Sequence, residues 1–208
     1  MSQYFQVHPE NPQSRLVHHA VDIIRAGGVV VYPTDSAYAL GCHIGDKSAL
    51  DRIRRIRHLE PKHNFTLVCR DLSEVASYAR VDNMSYRLLR ANTPGPYTFI
   101  LEATSEVPRR LQHPKRKTIG LRVPENNIAL ALLADLGEPL MSVTLIMPGD
   151  DYPLIDPYEI RELLEHQVDL VIDGGYCGME PTTVIDLSAG VPDVTRAGKG
   201  AVEPFLGG

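Results

Sequence analysis

The sequence predicts a mixed α/β domain, a twisted sheet of parallel and antiparallel strands flanked by helices. Three observations predict it. Segments of helical and extended periodicity alternate along the chain with short turns between them. The extended segments outnumber what simple strand–helix–strand crossovers would need near both ends. The 208 residues contain no internal repeat or low-complexity linker, which suits one large domain. Apolar residues at 43% and charged residues at 23% exclude intrinsic disorder and a fibre.

The elements follow in order. Pro12-Gln13-Ser14 opens a helix carrying Leu16, Val17, Ala20, Val21 and Ile24, and Gly27-Gly28 stops it. Val29–Tyr32 is a buried strand. Ser48 with Asp51 has the form of a capping box for a helix that places Leu50, Ile53 and Ile56 on one face and arginines on the other. Phe65–Cys69 is extended, and Asp71–Ala79 and Asp82–Ala91 are helical. Tyr97–Ala103 and Thr118–Val123 are strands. Asn126 caps a helix that runs to Leu136 and ends at Gly137. Leu140–Met147 is a strand, and Asp156-Pro157 starts a helix with cap and proline in their favoured places. Val168–Ile172 and Thr183–Leu187 complete the strands.

Composition narrows the function classes. No apolar run reaches the ~18 residues of a membrane span, and the first nine residues have neither the basic patch nor the apolar core of a secretory signal. Cys42, Cys69 and Cys177 form no C-x-x-C pair, which argues against a disulfide framework and for a reducing, cytoplasmic compartment. The eight histidines lack ligand spacing, so no metal site is expected. Net charge is −5, yet residues 47–63 and 106–122 each hold six Lys/Arg. Two such segments can present a positive cleft to phosphates, or can be solvated faces that never meet. Arg54, Arg55, Lys62, Arg110, Lys115, Arg116 and Lys117 in them are the candidate contacts to nucleic-acid phosphates in such a cleft. Residues 150–173 carry eight carboxylates against Arg161, either a protein-partner surface or a solvated helix face.

Several motifs carry candidate chemistry. Pro33-Thr34-Asp35-Ser36-Ala37-Tyr38-Ala39-Leu40-Gly41 follows a strand directly, where open α/β sheets place ligands. Taken alone, a turn held by Asp35 and Ser36 bonding their own backbone is the simpler reading. Arg122 lies inside an apolar strand and needs a partner, either a ligand phosphate or carboxylate or a structural ion pair. Ser142 and Thr144 share one strand face, as pocket-lining hydroxyls or as ordinary strand residues. Asp173-Gly174-Gly175-Tyr176-Cys177-Gly178 fits neither a P-loop nor G-x-G-x-x-G and reads as a mobile loop. Arg196-Ala197-Gly198-Lys199-Gly200 is an anion anchor or a fraying tail.

The ordered set has a clear likeness. Pro33–Gly41 resembles the P-T-D-T-x-Y-G-L-G opening of the YrdC-like threonylcarbamoyl-AMP synthase family. Pro94–Thr98 resembles its P-G-P-x-T, Thr118–Val123 its I-G-x-R-x, and Pro139–Ser142 its P-L-x-S. Thr182–Leu187 resembles the late S-T-x-x-D strand, and Arg196–Gly198 the R-x-G. The run from Ser142 to Asp151 is similar to one branch of that family. The likeness covers roughly residues 14–200, leaving 1–13 as an N-terminal extension and 201–208 as a tail.

That resemblance implies one α/β fold around a basic concave cavity. It implies ATP with Mg²⁺ as substrate, no tightly bound cofactor, and double-stranded RNA or tRNA as partner. The implied reaction joins threonine, bicarbonate and ATP into threonylcarbamoyl-AMP and pyrophosphate. Thr34 and Arg122 would hold the amino acid and its carboxylate or a nearby phosphate. Thr118, Ser142, Thr144, Thr182 and Arg196 would line the pocket, with Tyr38 and Arg57 among the nucleotide contacts. Two positions depart from the family pattern: its K-x-R falls on Arg57-His58-Leu59 and its S-x-N on Thr144-Leu145-Ile146. Losing a charge-assisted hydrogen bond costs ~1.5–3 kcal/mol, so two losses weaken the transition-state complex ~10²–10⁴-fold. The expectation is therefore a nucleotide- and RNA-binding relative whose family activity is weak, retuned or absent. The alternatives are a genuine synthase and a carbamoyl- or acyl-adenylate chemistry on another substrate.

Overall fold

Successive strand residues point to opposite sides of a sheet, so each strand here divides its side chains between two faces. The computed structural model describes residues 1–60 and 63–206. Its elements are β1 (Gln3–Gln6), α1 (Ser14–Arg25), β2 (Val30–Tyr32), β3 (Ala39–His43), α2 (Lys47–Arg57) and β4 (Thr66–Val68). These are followed by α3 (Leu72–Tyr78), α4 (Asn83–Asn92), β5 (Tyr97–Glu102), β6 (Thr118–Arg122), α5 (Asn127–Leu136) and β7 (Leu140–Thr144). The chain ends with α6 (Pro157–Leu164), β8 (Leu170–Asp173), β9 (Thr183–Asp186), β10 (Asp193–Arg196) and a 3-10 turn at Glu203–Phe205. The strands form one mixed sheet in the order β1-β8-β2-β3-β7-β4-β6-β5-β9-β10. β1–β8, β8–β2, β4–β6 and β5–β9 are parallel, and the remaining neighbours are antiparallel. The mixed α/β class expected from the sequence is the class observed.

Two cores lie on opposite faces. Val17, Ala20, Val21 and Ile24 recur with helical period along α1 and meet Ile128, Ala129, Leu132, Leu133 and Leu136 of α5. Together they bury Val30, Tyr32, Leu140, Leu170 and Ile172 on one face of the sheet. The other face carries Val31, Leu40, Leu67, Phe99 and Leu121 against Leu50, Ile53 and Ile56 of α2, Ile160 and Leu164 of α6, and Phe205. α1 and α5 cover this face from β1 as far as Val68 of β4, and leave open parts of β3, β7 and β4 together with β6, β5 and β9.

Local signals account for most element ends. Asn126 accepts the Ala129 N–H at 3.0 Å, Gly137 ends α5 with φ +76°, and Asp156 accepts the Tyr158 N–H at 2.8 Å ahead of Pro157. The expected Ser48–Asp51 capping box is not the cap of α2. Asp46 is, accepting the Ala49 N–H at 2.8 Å, because Ser48 already lies inside the helix. Asp51 instead accepts from Lys47 one turn earlier, at 2.8 Å. The strand expected over Leu140–Met147 ends at Thr144. β1, β3 and β10 were not anticipated. β1 and β10 are short edge strands with little apolar pattern, and the Gly41-Cys42 pair dilutes the pattern of β3.

No helix among the described residues is long and apolar enough to cross a membrane. Burial pushes all three thiols up, Cys42 to about 12, Cys177 to about 11 and Cys69 well above its ordinary value. We therefore expect native protein at pH 7.5 to react with a disulfide reagent far more slowly than unfolded protein, by thiol titration in buffer and in denaturant. Rapid labelling of any thiol in the native protein would contradict this.

Candidate functional site

Where α1 and α5 stop covering their sheet face, its residues change from apolar to hydroxylic. Cross-strand register aligns Gly41, Ser142, Thr66, Gly120 and Ile100 in one row across five strands. Thr118, Gly120 and Arg122 of β6 fall on this face, while Ile119, Leu121 and Val123 enter the opposite core. The open face forms the floor of a cleft of about 450 Å³, large enough for a small-molecule ligand. Gly120 keeps that floor low: a Cβ there would sit 2.9 Å from Thr66 Oγ1 and 3.2 Å from Thr98 Cγ2.

Seven of the expected site residues converge on the cleft: Arg57, Thr118, Arg122, Ser142, Thr144, Thr182 and Arg196. Ser142 Oγ is 2.7 Å from Tyr32 OH, whose burial pushes its pKa to about 12. Thr182 Oγ1 lies 2.8 Å from Thr98 Oγ1, and Arg196 donates to the Thr182 carbonyl from Nε at 3.1 Å and from Nη2 at 2.8 Å. The segment read as anchor or tail is thus held: Lys199 N–H donates to the Pro181 carbonyl at 2.9 Å. Gly198 permits this, since a Cβ there would lie 2.3 Å from that oxygen.

The loop Pro33–Tyr38 joins the antiparallel strands β2 and β3 and divides its work among its residues. Thr34 Oγ1 donates to the Ala37 carbonyl at 2.6 Å and accepts the Ala37 N–H at 3.1 Å, so Thr34 holds the turn. Ser36 and Ala37 line the cleft; Thr34 does not. Asp35 was expected to bond its own loop backbone; its carboxylate pairs with Arg122 instead. Tyr38 points into the opposite core, fully buried, with its OH donating to the Gly175 carbonyl at 2.6 Å and accepting the Gly174 N–H at 3.2 Å. That pair of bonds ties down the start of the glycine-rich loop, which was read as mobile.

The walls named by these contacts hold three guanidinium groups and, among the described residues, no carboxylate. Burial lowers the pKa of Arg57, and burial together with the charge of Arg122 lowers that of Arg196. Arg57 Nε and Arg122 Nε are buried without a partner among the described residues. An entering anion would relieve each of these costs. His63, also on the wall, is held below its ordinary value by burial and then by Arg57 and Arg54. Between that lowered value and the ordinary ~6.5 the unfolded chain binds more protons, so this group's contribution to stability is present above about pH 6.5 and is lost as pH falls. We expect the melting-point difference between pH 7.5 and pH 5.5 to narrow in His63→Asn. An unchanged difference would exclude the residue as a source of it.

An adjoining compartment shares Arg57, His63 and Ile146 and extends over Leu59, Glu60, Met147 and Asp150. Leu59 and Ile146, the two departures from the family pattern, line this one compartment together. The RNA candidates do not gather at the cleft. Arg54 lies 5.1 Å over the Phe65 ring and 3.7 Å from Asp51, and Arg110 donates to the Ile44 and Gly45 carbonyls. Arg116 pairs with Asp186 at 2.7 Å. Arg55, Lys115 and Lys117 are exposed, and Lys62 lies outside the described residues. In the acidic segment, Asp156 caps α6, Asp169 accepts from Arg52 and from the Val29 N–H, and Asp173 accepts from Tyr4 OH. Among the described residues no group of three or more His, Cys, Asp or Glu side chains is arranged to hold a metal ion.

Comparison with known proteins accords with this geometry. The family profile for Sua5, YciO and YrdC, described as "Telomere recombination", matches residues 22–198. The chain is 61% identical to the uncharacterized protein YciO of Escherichia coli over 99% of its length and all of YciO's. It superposes on the crystal structure of E. coli YciO with a TM-score of 0.96, covering 99% of this chain and 100% of that one. It is 31% identical to a threonylcarbamoyl-AMP synthase of Nitrosococcus oceani, over 76% of this chain and 85% of that protein. A structure of a P. abyssi Sua5 variant matches at a TM-score of 0.90 and 25% identity, covering 98% of this chain and 62% of that one.

Proposed function

The chain belongs to the Sua5/YciO/YrdC family and is related to threonylcarbamoyl-AMP synthases; from that premise we propose that its cleft binds ATP and supports threonylcarbamoyl-adenylate formation at a reduced rate. The observation that carries this reading is the convergence of Arg57, Arg122 and Arg196 on a hydroxyl-lined cleft whose described walls hold no carboxylate. In this chemistry the threonine amine condenses with bicarbonate to a carbamate with loss of water, and a carbamate oxygen then attacks the α-phosphorus as pyrophosphate leaves. The protein's part is to align the two ligands and neutralise phosphate charge, with Mg²⁺ carried by the nucleotide. No step needs a thiolate, in keeping with a Cys177 pKa pushed up to about 11. Three cysteines without a paired motif support a reducing, cytoplasmic setting.

The rate is expected to be low because Leu59 and Ile146 offer alkyl surface where the family pattern has an arginine and an asparagine. The test is pyrophosphate release by purified protein with ATP and Mg²⁺, with and without threonine plus bicarbonate. We expect slow release that needs both co-substrates and rises at least tenfold in the double variant Leu59→Arg/Ile146→Asn. Release independent of threonine, or none from either protein, would sink the synthase reading.

A second reading rests on the turn Arg109–Lys117, where Lys115 and Lys117 are exposed and make no ion pair among the described residues. Here the turn would grip the phosphates of a structured RNA. Lys115→Ala/Lys117→Ala should then lower the salt dependence of tRNA binding by about two counterions, read from the slope of log affinity against log salt. An unchanged slope would remove the turn from the interface.

A further inference from the structure

Asp35 lies behind the cleft wall, where it touches Arg122 of β6, the turn ahead of α5 and the segment after β10. One carboxylate oxygen accepts from Arg122 Nη2, and the other accepts the Glu125 N–H at 3.1 Å, just ahead of α5. Its backbone carbonyl accepts from Lys199 Nζ, beyond β10. The Asp35 side chain is 10% exposed and that of Arg122 7%, so the pair is shielded from water. Arg122 Nη2 is committed to Asp35, with Thr34 Oγ1 at 3.4 Å, while Nε is buried without a partner among the described residues and the residue lines the cleft. Nη2 is thus fixed by protein, while the rest of the guanidinium makes no hydrogen bond among the described residues.

We propose that Asp35 is a positioning residue, which holds the Arg122 guanidinium so that its remaining N–H edge meets the anionic group of the ligand already aligned. The proposal rests on the nucleotide reading of the cleft. A rigidly held donor binds more tightly than one that must be ordered on binding. Simple charge counting gives the opposite sign: removing a carboxylate beside Arg122 makes the cleft more positive and should tighten an anion. The sign of the effect therefore separates the two.

The experiment measures AMP and adenosine affinities by calorimetry for wild type, Asp35→Ala and Asp35→Glu. The glutamate variant keeps the charge but moves the carboxylate by one methylene, and it serves alone if the alanine variant does not fold. Expected is at least tenfold weaker AMP binding in both variants, with adenosine, which has no phosphate, within twofold of wild type. AMP binding that is unchanged or tighter in the variants would overturn the proposal, and so would equal losses for AMP and adenosine, the mark of a general distortion. Failure of the wild-type protein to bind AMP would overturn the nucleotide reading and this proposal together.

Discussion

Arg122→Ala is expected to cost at least a hundredfold in AMP affinity and about 3–5 kcal/mol in stability. The affinity loss follows from removing the most buried of the three cleft arginines, whose Nε has no partner among the described residues. The stability loss has a different source. Asp35, with its side chain 10% exposed, keeps the Glu125 N–H but loses its counter-ion, and a buried carboxylate without one is costly. Adding Asp35→Asn to Arg122→Ala should therefore return about 1–3 kcal/mol without restoring affinity. Urea denaturation with calorimetry on the same preparations measures both quantities. A single variant as stable as wild type would mean that the pair contributes nothing net to folding.

Leu121→Ala, one residue earlier on β6, is expected to show the reverse pattern. Leu121 is fully buried on the opposite face, packed among residues such as Phe99 and Leu67. Truncation removes its transfer free energy and leaves a cavity, together about 2–5 kcal/mol. Because strand side chains alternate, nothing in the cleft is removed, so AMP affinity per folded molecule should stay within threefold. A large affinity change at unchanged stability would place Leu121 in the cleft and contradict the face assignment.

Most elements were legible because local chemistry sets them. Val17, Ala20, Val21 and Ile24 spell out a helical stripe, Asn126 and Gly137 bracket α5, and Asp156-Pro157 opens α6. The α2 cap was misassigned because Asp46 and Ser48 are both good caps two residues apart, and helix entry chose the first. Edge strand β1 stayed hidden because it depends on the distant β8, with Gln3 beside Leu170, and β10 because its largely exposed Asp193–Arg196 carries little apolar pattern although its partner β9 is close in sequence. The site was legible in part. Thr118, Ser142, Thr144, Thr182, Arg57, Arg122 and Arg196 do line one cleft, but Tyr38 and Thr34 act on loop structure instead.

The sequence by itself determined the alternation that puts Arg122 and Leu121 on opposite faces and the residue types at each motif. The tertiary structure alone decided that Arg122 has Asp35 as its partner, 87 residues away, and that Arg116, Arg52 and Arg110 of the basic segments are spent on Asp186, Asp169 and backbone carbonyls. It also decided where the cleft lies. α1 and α5 cover only part of their sheet face, reaching Val68 of β4, and the polar remainder, left uncovered, becomes the floor of the cleft. The physical reason is range: periodicity and caps act within a few residues, whereas ion pairs and helix cover depend on which distant segments the sheet order brings together.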